Sequence, residues 1–381
     1  MKVLQENLIH VLSVAGEAVA GNSSLPILSS YLLSADSDGT LQVTATNLDM
    51  TITTWTTAAS NGSPARFVLP ARQTQQWVAS LPPDVVTLEV DGNQATAQCA
   101  ASKATLKCMP VDDYPPIQHP TPDSEEVLWG ITVDLNVFLK YAGLVTIAAP
   151  RELTGRPLDG ILFTYQDGRL KLAASDGYRL SVASMKADLL TNKAEPPQQA
   201  VVPVAAVEKL LHIAKPDDNP SQITILCTPN HVSFASLDRN FQMTAGRVNG
   251  KYPEYERVIP DSSQTTVLLP MQELFIACRR ADIFARDTET PGVTLTVENE
   301  HLTISNVSAV TGKSKSNLQV SVDGEPTNHV TLNSQFLLKL LSAAKRHAAS
   351  IKIGISDATS PVTFSLLGVD NFIHIIMPLN L

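Results

Sequence analysis

Residue types capable of covalent or metal chemistry are present in this sequence, but none is grouped for it. The four cysteines, Cys99, Cys108, Cys227 and Cys278, lie far apart with no Cys-x-x-Cys pair. That spacing argues against a zinc site and against a secreted disulfide framework, and reads as reduced core or strand residues. The eight histidines are scattered. There is no Gly-rich phosphate loop, no Gly-x-Ser-x-Gly, and no His/Asp/Glu cluster at metal-ligand spacing. The pair Asp112 and Asp113 adjoins a Pro-rich turn and reads as a solvated loop. Neither catalysis nor a metal nor a cofactor is therefore expected. What does stand out is a set of cations on segments of helical period: Arg72, Lys140, Lys209, Lys215, Arg279, Arg280, Lys339, Lys345 and Arg346. The chemistry open to them is charge neutralisation. Acidic pairs such as Glu125 and Glu126 or Asp217 and Asp218 sit instead in loops.

The elements that carry these residues repeat. KVLQENLIHVLSVAG, TVDLNVFLKYAGLV and TVLLPMQELFIACRRA share one pattern, beginning near Val3, Val133 and Val267. FVLPARQTQQWVASL, VVPVAAVEKLLHIA and VTLNSQFLLKLLSAA share another, aligned on Pro70, Pro203 and Asn333, with Trp77, Leu210 and Leu340 seven positions later. The period is about 130 residues and each period holds two similar halves. Each half opens on a short extended apolar stretch and continues as a helix, as the spacing of Val207, Leu210 and Leu211 and of Phe336, Leu337, Leu340 and Leu341 requires. Alternating runs such as LQVTATNLDMTITTW and GRLKLAASDGYRLSVASM follow, broken at Gly, Asn or Asp, which is the pattern of hairpins.

At 381 residues, 44% hydrophobic and 17% charged, the chain reads as a soluble globular protein of two to three domains. Its first residues fit neither a signal peptide nor a membrane span, so a cytoplasmic location is expected. The polar stretches HPTPDSEEV (119–127) and IPDSSQTT (259–266) read as linkers. They place domains at 1–124, 125–260 and 261–381. A net charge of −9 is unusual for a nucleic-acid binder, though it says nothing about where the charges lie.

The segments SLPILSSYLLSA, TATNLDMTI, LDGILF, AASDGYRLSV, GKYPEYERVIP and IIMPLNL are spread over all three periods. Through them the whole chain resembles the bacterial β sliding clamp family, the beta subunits of DNA polymerase III. The resemblance implies an α+β DNA clamp fold: three tandem domains, each with two helices packed inside antiparallel sheets, joined head to tail in a homodimeric ring. It further implies that the ring encircles double-stranded DNA without reading its sequence. The helix cations above would then be DNA-facing, with phosphate-directed contacts in a basic lumen inside an acidic exterior. Position by position, the family's groove for peptides of polymerase, clamp loader and other clamp-binding proteins maps to Leu158, Ser175, Gly177, Tyr178, Leu180, Pro253, Arg257 and Val258. From the third domain it takes Asn333, Phe336, Thr359, Pro361, Ile375, Ile376, Met377, Pro378, Leu379 and Leu381. Two positions depart from the family: Asn380 stands where a basic residue is common, and Thr290 where an aromatic is. The rival reading is a non-catalytic β-rich repeat scaffold, which would carry an export signal.

Overall fold

The fold is described from a computed structural model, which covers the chain except residues 22, 60–63, 118, 151–153, 194–196, 215–220, 237, 239, 286–290, 309–311 and 380–381. Among the described residues there are six α-helices: α1 (Gln5–Gly16), α2 (Ala71–Ala79), α3 (Leu135–Thr146), α4 (Val204–Ile213), α5 (Met271–Ala285) and α6 (Ser334–Ala344). Each begins where a strand ends, after Leu4, Pro70, Asp134, Pro203, Pro270 and Asn333. The extended stretch followed by a helix that the repeats predict is thus present six times. One apolar stripe drives each helix onto a sheet: α1 buries Leu8, Val11, Leu12 and Ala15, and α6 buries Leu337, Leu340, Leu341 and Ala344. Trp77 departs from its counterparts. Leu210 and Leu340 are fully buried, but in the nine-residue α2 the inward place belongs to Val78 and Trp77 is half-buried.

The chain divides into two compact units, residues 1–136, 188–195 and 209–247 in the first and 137–187, 196–208 and 248–381 in the second. Both have the same make-up, one nine-stranded and one four-stranded antiparallel sheet. In the first unit α1 packs with α2, and in the second α5 packs with α6. The middle repeat gives strands to both units, so sheets run across the repeat junctions. Phe241–Gly246 pairs with Met50–Thr57 in the first unit, and Arg179–Lys186 pairs with Val369–Ile376 in the second. Among the described residues, each four-stranded sheet has an end strand with no further strand beside it, Ser102–Lys107 in the first unit and Gly312–Gln319 in the second.

The first polar stretch read as a linker is pinned rather than loose. His119 sits between Thr53 Oγ1 (2.6 Å) and Thr244 Oγ1 (2.9 Å), on two paired strands of the first unit. The second ends inside strand Thr265–Pro270. Cys99, Cys227 and Cys278 are buried and all four cysteines are free thiols, as expected. Burial pushes the Cys227 thiol up to about 11 and that of Cys278 further, which suppresses thiolate chemistry at both.

Candidate functional site

The second unit carries a cavity of about 190 Å³ with three walls. The first wall is the turn 175–179, fixed by its own polar groups. Ser175 Oγ donates to the Arg179 carbonyl (2.9 Å) and accepts from the Gly177 amide (3.1 Å). Asp176 accepts from the amides of Tyr178 and Arg179, both at 3.0 Å, and from Arg179 Nε at 2.8 Å. Gly177 has φ +89° with open space around it, so backbone conformation rather than crowding selects glycine there. Arg179 is 4% exposed and its guanidinium lies 4.3 Å from the centre of the Phe336 ring. That stacking holds Phe336 beside the turn.

The second wall is the stretch from Gly250 to Val258. A Cβ on Gly250 would stand 2.8 Å from Pro157 Cγ at φ +110°, so this chain reversal also needs glycine. Beyond it Tyr252 and Tyr255 pack edge to face, 6.3 Å between centroids, while Val258 stays 42% exposed at the rim. Leu158 approaches from a turn anchored by Asp159. Burial works against the charge of that carboxylate, but hydrogen bonds from Thr154 and Arg156 outweigh it and keep its pKa below the usual range.

The third wall is strand Val369–Ile376, in register Leu180 to Ile375 with the strand after the turn. The chain leaving it is tied down, the Met377 amide donating to the Tyr178 carbonyl and the Leu379 amide to the Thr331 carbonyl, both at 2.8 Å. Beneath this sheet His374 is fully buried, its Nδ1 2.6 Å from Ser181 Oγ. Burial, aided by Arg179, pushes its pKa down to about 3.

Of the predicted groove residues, Leu158, Ser175, Gly177, Leu180, Pro253, Val258, Ile375 and Met377 line this cavity. Tyr178 and Phe336 line a neighbouring one of about 360 Å³ together with Lys339. Arg179 borders both. Ile376 is buried behind the wall, and Pro378 and Leu379 are half-buried just beyond it. Three predicted residues are occupied locally. Arg257 pairs with Glu254 at 2.6 Å, the Asn333 side chain caps α6 by accepting from the amides of Gln335 and Phe336, and Thr359 donates to Asp357. Pro361 lines neither cavity. Leu381 lies outside the described residues, as do Asn380 and Thr290. Arg179, Tyr252, Glu254 and Tyr255 complete the lining and were missed by residue, although all four lie inside the motifs AASDGYRLSV and GKYPEYERVIP.

The helix cations fall into groups. Lys140 and Arg346 both act on His347, whose pKa is lowered first by burial and then by these two charges. Lys345 and Arg279 lie over the Phe275 ring at 4.4 and 5.7 Å. Arg72 and Arg280 are exposed on α2 and α5. Lys209 is held by the Glu17 carboxylate, and Lys215 lies outside the described residues. Among the described residues no cluster of His, Cys, Asp or Glu could hold a metal, and no helix is long and apolar enough to cross a membrane.

Three family models match the chain in tandem: the N-terminal domain of the DNA polymerase III beta subunit over residues 1–118, its central domain over 132–254 and its C-terminal domain over 256–380. The chain belongs to the DNA polymerase III beta subunit family. Its relatives include the beta sliding clamps of Vibrio cholerae, 24% identical over 382 residues and matched over 99% of this chain and 98% of that protein, and of Escherichia coli, 24% identical over 380 residues with 100% and 99% matched. Among solved beta subunits, a sliding clamp from Pseudomonas aeruginosa bound to griselimycin superposes with a TM-score of 0.90 at 22% identity, covering 100% of this chain and 99% of that one. A clamp from Bacillus subtilis superposes at 0.87 with 21% identity, covering 100% and 98%. The clamp fold that the family resemblance implies is therefore the fold of this chain, and the six strand-helix halves read from the repeats fit it.

Proposed function

We propose that this sliding clamp of the DNA polymerase III beta family closes as a head-to-tail homodimer around duplex DNA and has no catalytic activity of its own. It works in the cytoplasm, with three domains at 1–124, 125–260 and 261–381. The observation that carries this reading is the tandem match of all three beta-subunit domains to one chain. It is supported by a walled apolar cavity lined by Leu158, Leu180, Val258 and Met377, residues that the family resemblance assigns to the peptide groove. Extended peptides from the polymerase, the clamp loader and other clamp-binding proteins seat an apolar side chain between Leu180, Val258 and Met377, and lay neighbouring residues over Tyr178 and Phe336. The free edges Ser102–Lys107 and Gly312–Gln319 supply the two unlike surfaces that a closing heterologous contact needs. Beside the second edge, α5 leaves Ile283 64% exposed. Loaded by its cognate loader onto nicked circular DNA, the protein is expected to stay bound in moderate salt and to leave once the circle is cut. Equal retention on circular and linear DNA would mean ordinary adhesion and end the ring reading.

A further inference from the structure

The end of α1 carries a carboxylate where a helix least favours one. Glu17 is the C-cap residue of α1, facing the negative end of the helix dipole, and its side chain is only 23% exposed. It is not there to cap the helix, since the capping bonds run from its backbone amide. Its charge is felt in the core: the phenol of Tyr31, raised in pKa mainly by burial, is raised further by Glu17. What offsets this placement comes from α4. Lys209 Nζ contacts Glu17 Oε2 directly, and His212 Nε2 stands 3.2 Å from Oε1. All three residues belong to the first unit. Lys209 is still 42% exposed, so its ammonium can be reached by another anion without any rearrangement of the fold.

We propose that Glu17 stands in for a DNA phosphate, holding Lys209 and so limiting how firmly the helix-borne cations grip the duplex. This rests on the reading that α1 and α4 face DNA. A clamp has to hold duplex without arresting on it, and each lysine that neutralises a phosphate adds to affinity and to salt dependence. A lysine already neutralised by a tethered carboxylate adds little to either. Because the carboxylate is attached, it re-engages the ammonium whenever a phosphate moves on, which keeps the contact exchangeable.

The test is direct binding of a short duplex, followed by anisotropy over a range of salt, with the full-length protein. Glu17→Gln is expected to tighten binding about 3- to 10-fold near 0.1 M salt and to steepen the salt slope by about one phosphate contact. Glu6→Gln removes the same charge from the same helix and is expected to change affinity less than about 2-fold. Glu17→Gln combined with Lys209→Ala should lose the gain. A merely structural Glu17 would show as a lower melting temperature with no gain that depends on Lys209. If Glu17→Gln and Glu6→Gln act alike, or the gain survives in the double variant, the stand-in role is overturned while the clamp reading stands. If rings are not retained on nicked circles and no variant binds duplex, the DNA-facing placement fails and takes the stand-in role with it.

Discussion

His119 links the two repeats of the first unit through side chains alone. Thr44 and Thr53 hydroxyls lie 2.9 Å apart, Thr53 and Thr244 flank the imidazole, and Thr244 donates to Ser233 at 3.2 Å. Burial lowers the imidazole pKa to about 4, below the ordinary value of 6.5, so the folded state keeps it neutral over a range where the unfolded chain protonates it. A depressed pKa means that this contribution is complete above about pH 6.5 and is lost as pH falls towards about 4, at most about 3 kcal/mol in all. Urea unfolding at pH 7, 5.5 and 4.5 should show the wild type losing more stability on acidification than His119→Gln, and an equal loss in both would remove His119 from the account. The variant still loses stability on acidification, because His374, held down to about 3 by burial, contributes a loss that begins over the same pH range and runs on to lower pH. At this scale the sequence was partly legible. The turn Ser175–Arg179 reads as a glycine turn and Gly177 has the positive φ that reading requires. The equivalent turn in the first repeat puts Leu48 at φ +77°, stabilised by the same pattern of Thr46 and Asn47 side-chain bonds, and nothing in its residue types signals that. The stretch containing His119 reads as a linker because composition reports polarity, whereas its pinning depends on two threonines far away in sequence.

Among the elements, the order of strand and helix was legible because hydrophobic period is a local signal. The walls of the cavity were not, since they depend on which strands pair. Leu180 meets Ile375 only because Arg179–Lys186 takes Val369–Ile376 as its neighbour in one particular register. A slip of one residue would turn Leu180 to the other face. The family resemblance supplied Leu180, Val258 and Met377, but it did not supply Arg179, whose stacking on Phe336 is a matter of geometry. Met377 enters the lining from a segment held by backbone hydrogen bonds on either side, so its side chain is positioned before any peptide arrives. Truncating a preorganised anchor contact costs about 1 to 3 kcal/mol, or about 5- to 150-fold in affinity. Met377→Ala should weaken a clamp-binding peptide from the cognate polymerase by that factor, and deletion of Met377 to Leu381 should abolish measurable binding. Sizing of the same samples should find the assembly unchanged. Full affinity in the deletion variant would show that partners dock elsewhere.

For the whole molecule the features to test are two sheet edges among the described residues, Ser102–Lys107 and Gly312–Gln319, which composition could not reveal. Strand Ser102–Lys107 alternates exposed Lys103, Thr105 and Lys107 with half-buried Ala104 and Leu106, and strand Gly312–Gln319 alternates in the same way. An exposed edge of this kind pairs with another chain unless something prevents it, and lysines on an edge restrict which partner is accepted. Hydrogen-bond parity shows how to test whether the edge is used. The Cys108 amide donates inward to the Asn93 carbonyl. In an antiparallel ladder alternate residues share that direction, so the amides of residues 104 and 106 also point into the chain's own sheet while that of Thr105 points outward. Proline at position 105 therefore removes only a donor that a second chain could use, whereas proline at 104 breaks the sheet itself. The wild type should scatter light at about twice its 41.0 kDa chain mass at micromolar concentration. Thr105→Pro should shift it towards the monomer with little change in melting temperature, and Ala104→Pro should lower the melting temperature first. A Thr105→Pro protein that is still fully dimeric would place the contact between chains away from this edge and remove one of the two surfaces proposed to close the ring.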